Sequence, residues 1–242
     1  MSQDLKEAKK TMPIISTEDN YLTVLNLFTT DTPEHQDQLL TEMQKIVDAA
    51  AYPGWISSTV HAGQGTPATA NLIQWRSGED LEKRYDGEEF KHRTLPVFRE
   101  ITTAIRLLQN EIVFSRTRPG TGHRVEVSPD RDDYTAIEVH RVGQADQAEL
   151  VTLLGEGQDW LVNVPGYRSH SVFKGLRAMF VEGAFAVVYS QWDSKESYEA
   201  FRDLPHATKP GPRRANDERI AALQTGHDAN TYRVVHTRTA GE

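Results

Sequence analysis

The feature that most constrains this chain is an internal repeat, because two stretches carry the same landmarks in the same order. Pro53-Gly54-Trp55 returns as Pro165-Gly166-Tyr167, at an offset of 165 − 53 = 112 residues. A Gln-Trp-x-Ser-x-Glu-x-x-Glu motif that begins at Gln74 returns at Gln191, at an offset of 191 − 74 = 117. The ordered recurrence predicts two copies of one module. The five extra residues predict a longer hairpin around 177–183 in the second copy.

In each copy, the sequence pattern predicts the element order strand, helix, strand, strand, helix, strand. In the first copy, Tyr21–Thr29 has the alternation of a strand, and Thr32 followed by Pro33 is typical of a helix start. Gly63–Gly65 predicts a hairpin, and Ser77 predicts the cap of the next helix. This order is typical of a ferredoxin-like α+β sheet with both helices on one face.

The uncovered face of each predicted sheet must also be buried, and the second copy can bury it. The expected fold is therefore α+β, with two tandem ferredoxin-like domains forming an intramolecular dimeric α+β barrel. We expect a polar N-terminal tail over 1–19, a first domain over 20–117, a linker over 118–132 and a second domain over 133–242. The last strand is predicted at Thr231–Thr237, and Arg213 and Arg214 are predicted to lie in a solvated Pro/Gly loop.

Composition excludes several classes of function. The chain has no cysteine, which excludes disulfides, thiolate metal sites and cysteine nucleophiles. Its formal net charge of −8 disfavours contact with phosphate backbones, so we expect no nucleic-acid partner. No signal-like or membrane-length apolar stretch is found, so we expect no membrane partner and a cytoplasmic location.

No cofactor is expected either. No glycine-rich dinucleotide or phosphate loop is present, and the nine histidines are dispersed along the chain, without the close spacing of a helical zinc motif. We therefore predict no resident metal and no nicotinamide or tightly bound flavin.

Two asparagines of the first copy fall on strand faces that are otherwise apolar. Asn26 shares its face with Phe28, and Asn71 shares its face with Trp75, because alternate residues of a strand point the same way. These side chains are predicted to project between the sheet and the helices. A carboxamide buried there without a partner costs on the order of 1–3 kcal/mol. Each asparagine must therefore bond the protein, which fixes packing, or a ligand.

The Pro-Gly-aromatic and Gln-Trp landmarks, with Asn26 and Asn71, resemble antibiotic-biosynthesis-monooxygenase domains. The resemblance spans about Tyr21 to Arg238. Within this family, the two asparagines resemble those of the cofactor-free anthrone oxygenases of aromatic polyketide biosynthesis. It implies catalytic roles for Asn26, Asn71, Trp75 and a helix arginine, with Arg99 the first match and Arg93 the second. The residues predicted to bind substrate are Phe28, Phe98 and His92, of which His92 is also a candidate proton acceptor.

The resemblance implies a cofactor-independent monooxygenase that uses molecular oxygen to convert an anthrone-type substrate to a quinone. Its partners would be a small aromatic substrate and oxygen, and the fused pair could form a homodimer. Two alternatives stay open: a non-catalytic small-molecule-binding or stress-response module, and a haem-degrading monooxygenase. In the second copy Glu138 and Val188 replace the two asparagines. That half is expected to be structural unless Glu138 and His140 support a different chemistry.

Overall fold

The computed structural model describes residues 12–118, 122–179 and 182–241, and these form strands and helices in a repeating order. The strands are β1 Ile14–Ser16, β2 Leu22–Thr29, β3 Trp55–Gly63, β4 Ala68–Trp75, β5 Ala104–Thr117, β6 Arg124–Glu126, β7 Tyr134–Val142, β8 Tyr167–Met179, β9 Ala184–Trp192 and β10 Gln224–Thr239. The α-helices are α1 Pro33–Asp48, α2 Gly78–Asp86, α3 Leu95–Ile101, α4 Gln147–Leu154, α5 Lys195–Arg202 and α6 Gly211–Leu223. A π-helical turn covers Phe90–Thr94, and a 3-10 segment covers Glu156–Asn163. Among these described residues, no helix is both long and apolar enough to cross a membrane.

Eight of these strands close into one antiparallel barrel, in the order β10-β3-β4-β2-β5-β8-β9-β7. Each half supplies four neighbouring strands. The last strand of each half pairs across the seam, β5 with β8 and β10 with β3. This arrangement confirms the prediction of two ferredoxin-like units fused into an intramolecular barrel.

Side chains on the two faces of a barrel strand are buried in different layers. Leu25 and Leu27 of β2 point into the barrel, where they join Phe173 and Val187 of the second half in one apolar cluster. The alternate residues of β2 point outward beneath the helices; Phe28, for example, packs among residues of α1 and α3. The barrel interior is thus a core shared by both halves, whereas each half has its own layer between sheet and helices.

The local signals at the starts of the helices are confirmed. Thr32 caps α1 by accepting a hydrogen bond from the backbone N–H of His35 at 3.1 Å, and Ser77 caps α2 through the N–H of Asp80 at 3.2 Å. The second-copy hairpin is also longer, since β8 and β9 span 13 and 9 residues against 9 and 8 for β3 and β4.

The end of the second half differs from the prediction. Residues 211–223 form α6, and β10 runs over Gln224–Thr239 rather than only over Thr231–Thr237. Arg213 is buried rather than solvated: its guanidinium donates to the Phe201 carbonyl at 2.7 Å and lies 4.1 Å from the Phe201 ring centre. Stacking and hydrogen bonding to the adjacent segment make this buried arginine possible.

A two-stranded sheet closes one end of the barrel. It pairs β1, from the expected N-terminal tail, with β6, from the expected linker. Ile15 and Val125 of this sheet are 1% exposed and belong to the barrel-interior cluster. The tail expected over 1–19 therefore contains a structured strand, while residues 1–11 of that tail lie outside the described residues.

Candidate active site

A pocket lies in the first half between the outer face of the sheet and α1, α2, the π-helical turn and α3. Its empty space is about 690 Å³ with the open mouth included, in the range of small-molecule sites. The space is narrow, since only about 70 Å³ admits the centre of a water molecule. Five of the predicted site residues line it: Asn26, Phe28, Asn71, Trp75 and Phe98.

The two asparagines face each other across neighbouring strands. Asn26 of β2 and Asn71 of β4 are paired in register, and their exposed fractions are 8% and 9%. The side-chain oxygen of each is buried without a hydrogen-bond partner in the protein. They therefore do not satisfy each other, which argues against a role confined to packing.

Trp75 and Tyr85 add two more buried polar atoms to the same pocket. The Trp75 indole N–H and the Tyr85 hydroxyl have no protein partner. Burial raises the pKa of Tyr85 to about 12, partly opposed by the Arg84 charge and by Asn26, so its hydroxyl stays protonated. Asn26 is thus close enough to influence Tyr85, although the two do not meet hydrogen-bond geometry. Four polar atoms without partners in one apolar pocket indicate a binding site for a small molecule with polar groups.

The arginine in this pocket is Arg84 of α2, which sequence analysis did not select. Its side chain is 9% exposed, and its guanidinium lies 4.2 Å from the centre of the Tyr52 ring. Tyr52 in turn stacks on Trp75, with ring centres 6.3 Å apart. Arg84 also lies 3.6 Å from the Glu89 carboxylate, near the mouth. One buried positive charge therefore stands beside an aromatic stack.

Two predicted site residues lie elsewhere. Arg99 is exposed and borders a separate surface groove with Thr102 and Ala104, because it follows the inward-facing Phe98 and so points about 100° away around the helix. His92 has a side chain that is 69% exposed and 3.2 Å from Glu88, outside the pocket lining. The prediction that Arg99 and His92 line the pocket is thus wrong. The side chain of Arg93 lies outside the described residues.

The corresponding tryptophan of the second half is already satisfied within the protein. The Trp192 indole N–H donates to the Ser190 hydroxyl at 3.0 Å, and its ring stacks on Phe201 with centres 4.8 Å apart. Ser190 occupies the position of Ile73 in the first half, since 190 − 117 = 73. The two halves therefore share the tryptophan but not its surroundings.

The second half instead gathers three potential metal ligands. Glu138, His140 and His227 each present one ligand atom, and these atoms all lie within 4.8 Å of one another. The sequence does not predict this group, because His140 and His227 are 87 residues apart. Pairing of β7 with β10 places them directly opposite each other.

Comparison with known proteins relates this chain to a protein family and to a solved structure of high sequence identity. The family model described as antibiotic biosynthesis monooxygenase matches residues 134–209. A solved structure described as an anthrone oxidase-like protein is 58% identical, with a TM-score of 0.93, over 95% of this chain and 98% of that chain. A search of curated proteins gave no match.

Two more distant structures share the fold alone. A protein from Fusobacterium nucleatum subsp. nucleatum, classed with the monooxygenases, is 9% identical with a TM-score of 0.60 over 92% of this chain and 95% of that one. Another, from Lactobacillus acidophilus NCFM, is 10% identical with a TM-score of 0.55 over 92% and 97%. The structural similarity supports the barrel architecture, but a sequence identity this low does not carry over the reaction.

Proposed function

The chain belongs to the antibiotic biosynthesis monooxygenase family, and we propose that this oxygenase converts an anthrone-type aromatic substrate to a quinone with molecular oxygen and no cofactor. The observation that carries the proposal is the first-half pocket, in which Asn26, Asn71, Trp75 and Tyr85 each bury a polar atom without a partner. The 58%-identical relative described as anthrone oxidase-like supports the same substrate class.

The reaction depends on the electron-rich substrate. Loss of a proton from the methylene carbon of a hydroxyanthrone gives a stabilised carbanion, which transfers one electron to oxygen. The resulting radical and superoxide combine to form a carbon–oxygen bond, and protonation gives a hydroperoxide. Loss of water then breaks the O–O bond and the remaining C–H bond and leaves the quinone carbonyl. One oxygen atom thus enters the product and the other leaves as water.

The pocket residues suit the charge that develops on this path. The Trp75 N–H can donate to a carbonyl or phenolate oxygen, and the carboxamide oxygens of Asn26 and Asn71 can accept from phenol hydroxyls. Arg84 supplies the positive charge that favours the deprotonated substrate in a poorly solvated pocket. No carboxylate or histidine occurs among the described residues that line the pocket, so we propose that the methylene proton leaves to water at the mouth.

Binding of a three-ring substrate requires the pocket to widen. An apolar cavity of about 150 Å³ holds a single benzene ring, and the freely accessible space here is about half of that. The π-helical turn, which carries Phe90 and Thr94 into the pocket wall, is the element suited to move, since such turns are frequent at functional sites. Movement of this turn, we propose, admits the substrate and then closes over its rings, while water stays in contact with the mouth.

The haem-degrading alternative finds little support in this pocket. It required a tryptophan and a histidine on the later helix, but α2 offers Arg84 and Tyr85 there, and His92 lies outside the pocket. No residue of the described lining is a histidine that could bind haem iron.

The experiment is oxygen uptake with a hydroxyanthrone and the purified protein, after metal and flavin have been shown to be absent. We expect uptake above the autoxidation rate, with the quinone appearing in equal amount. In Asn71→Ala, loss of one polar contact to the reacting system should lower kcat/KM by about 10²–10³. Arg84→Met should lower it to a similar extent.

Two control variants separate pocket chemistry from general damage. Asn230→Ala removes a carboxamide that bonds the Thr66 backbone outside the pocket, and Arg99→Met removes an arginine outside the pocket. Both should keep the wild-type rate. Absence of uptake by the folded wild-type protein would contradict the proposed reaction, and unchanged rates in Asn71→Ala would remove Asn71 from it.

A further inference from the structure

We infer that the second half binds a divalent first-row transition-metal ion through Glu138, His140 and His227. This site is separate from the proposed oxidation pocket, because it lies between the other sheet and the other helices. A crevice opens onto it, lined also by Gln158, Tyr198 and Gln224.

The three ligands occupy positions that form part of the pocket wall or its surroundings in the first half. With the offset of 112, Glu138 corresponds to Asn26 and His140 corresponds to Phe28, both of which line the first pocket. His227 lies opposite His140 as Ile105 lies opposite Phe28. Residues i and i+2 of one strand and the facing residue of its neighbour share one side of a sheet. Strand pairing alone therefore brings the three side chains together.

The distances are close to those of a metal site. The Glu138 carboxylate oxygen Oε2 lies 3.0 Å from His227 Nε2 and 3.9 Å from His140 Nε2. Ligand atoms bound about 2.1 Å from a tetrahedral zinc ion are about 3.4 Å apart. The largest separation in the group is within 4.8 Å, so small side-chain rotations can close it around an ion.

The surroundings orient one ligand and keep the site accessible. The Nδ1 atom of His140 lies 3.1 Å from the Gln224 side-chain oxygen. An Nδ1–H donated to that oxygen leaves the Nε2 lone pair free for the ion, as in many metal sites. Glu138 and His227 have side-chain exposures of 24% and 37%, which leaves room for a water ligand. Two histidines and one carboxylate with open positions form a ligand set used for zinc and for iron(II).

The positive side chains of the crevice are largely neutralised by carboxylates of their own. Arg202 is held by Asp203 through two hydrogen bonds, and Lys209 lies 2.7 Å from Asp217. Arg202 also acts on the Glu138 carboxylate, and Arg213, the third cation of the crevice lining, lies 3.7 Å from Asp217. The carboxylate of Glu138 faces the two histidines and is available to a cation.

The test is titration of the full-length, tag-free protein with Co²⁺, followed by visible absorption, and with Zn²⁺, followed by calorimetry. We expect one equivalent of each ion to bind, with cobalt absorption bands typical of nitrogen and oxygen ligands. His227→Ala and Glu138→Gln should each weaken binding by at least about 100-fold. Gln224→Leu, which removes the orienting partner of His140, should weaken it by about 10-fold.

His206→Ala is the matched control, because His206 forms an exposed pair with Glu218 at 3.1 Å outside this three-ligand group. It should bind the ion as the wild type does. Failure of the folded wild-type protein to bind one equivalent would overturn the site. Full binding by His227→Ala would overturn it as well, since the ion would then lie elsewhere. Either result leaves the oxygen-uptake assay of the first pocket unaffected.

Discussion

At the scale of single residues, the two equivalent tryptophans offer the sharpest contrast between the halves. The Trp75 indole N–H is buried without a partner, whereas the Trp192 N–H donates to Ser190. A buried donor that the protein leaves unsatisfied is a stability cost, and a ligand can relieve it. This difference, rather than the presence of the tryptophan, marks the first half as the proposed catalytic half.

Replacing the two tryptophans by phenylalanine should therefore have different effects: one replacement should lower activity and the other should mainly lower stability. Trp75→Phe should lower kcat/KM for the hydroxyanthrone about tenfold or more, because the donor to the developing oxyanion is lost. Trp192→Phe should leave kcat/KM about unchanged but should lose about 1 kcal/mol more unfolding free energy than Trp75→Phe, because it breaks an existing hydrogen bond. Steady-state rates and urea unfolding of both variants measure this, and equal effects on activity would contradict the assignment to one half.

Residues on strands could be predicted from the sequence better than residues on helices. Alternation along β2 and β4 fixed the face of Asn26, Asn71 and Trp75, because a strand has only two faces. Arg99 was expected in the pocket but points away, because one step along the helix from the pocket-facing Phe98 turns a side chain by about 100°. The arginine that lines the pocket, Arg84, lies on a different helix. A signal for Arg84 existed: it follows the buried Leu81 by three residues, which puts both on one helix face. In the Glu138 group, only Glu138 and His140 have a local signal, as residues i and i+2 of β7. His227 joins them only through the long-range pairing of β7 and β10.

At the scale of elements, the glutamine of each repeated Gln-Trp motif joins neighbouring strands through hydrogen bonds. Gln74 accepts a hydrogen bond from Ser57 at 2.8 Å and donates to the Ile14 carbonyl of β1 at 2.8 Å. Gln191 accepts from Ser169 at 2.6 Å and donates to the Glu126 carbonyl of β6 at 3.1 Å. The same offset, 126 − 14 = 112, relates the two carbonyls. We therefore propose that each repeat begins with its end-closing strand, earlier than the boundaries predicted from the sequence.

The glycine of the first Pro-Gly pair, Gly54, should be needed for both stability and oxidation. Gly54 has φ +81°, and a Cβ atom there would lie 2.2 Å from the Asp80 carboxyl carbon. Gly54→Ala should lower the unfolding free energy by at least about 1–3 kcal/mol. It should also reduce oxidation, because displaced Asp80 disturbs the helix that carries Arg84. Thermal denaturation and oxygen uptake report the two effects.

Gly166→Ala and Gly78→Ala are the matched controls for this prediction. Gly166 has φ +76°, and its Cβ would lie 2.3 Å from Ser197, so the stability loss should be similar while the intact protein keeps its oxidation rate. Gly78 has no atom within 4 Å of an added Cβ, and its substitution should be nearly neutral. Loss of oxidation in Gly166→Ala at a temperature where it is folded would show that the halves are not functionally separate.

At the scale of the whole molecule, the barrel interior ties the halves together through a buried polar pair. His61 of β3 and Tyr189 of β9 are both fully buried, and His61 Nε2 lies 2.9 Å from the Tyr189 hydroxyl. The His61 Nδ1 atom lies 3.3 Å from the Ala70 carbonyl. A neutral ring that donates from Nδ1 and accepts at Nε2 satisfies both contacts. The separate layers under the helices allow two different sites, whereas this shared interior makes the halves one folding unit.

This pair makes the stability of the barrel sensitive to acid. Burial lowers the pKa of His61 to about 4, although its backbone contacts raise it slightly, from an ordinary value near 6.5. Between these values the unfolded chain binds the proton and the folded chain does not, so stability is complete above about pH 6.5 and falls as the pH is lowered. From pH 7.5 to 5.0 the loss from His61 is about 2 kcal/mol.

The double variant His61→Leu/Tyr189→Phe removes both polar partners and should lose about 2 kcal/mol less than the wild type over this interval. Tyr189→Phe alone keeps the titrating ring and should retain most of the pH dependence. Urea unfolding at the two pH values measures these differences, and equal losses in the wild type and the double variant would show that His61 does not contribute to the acid sensitivity.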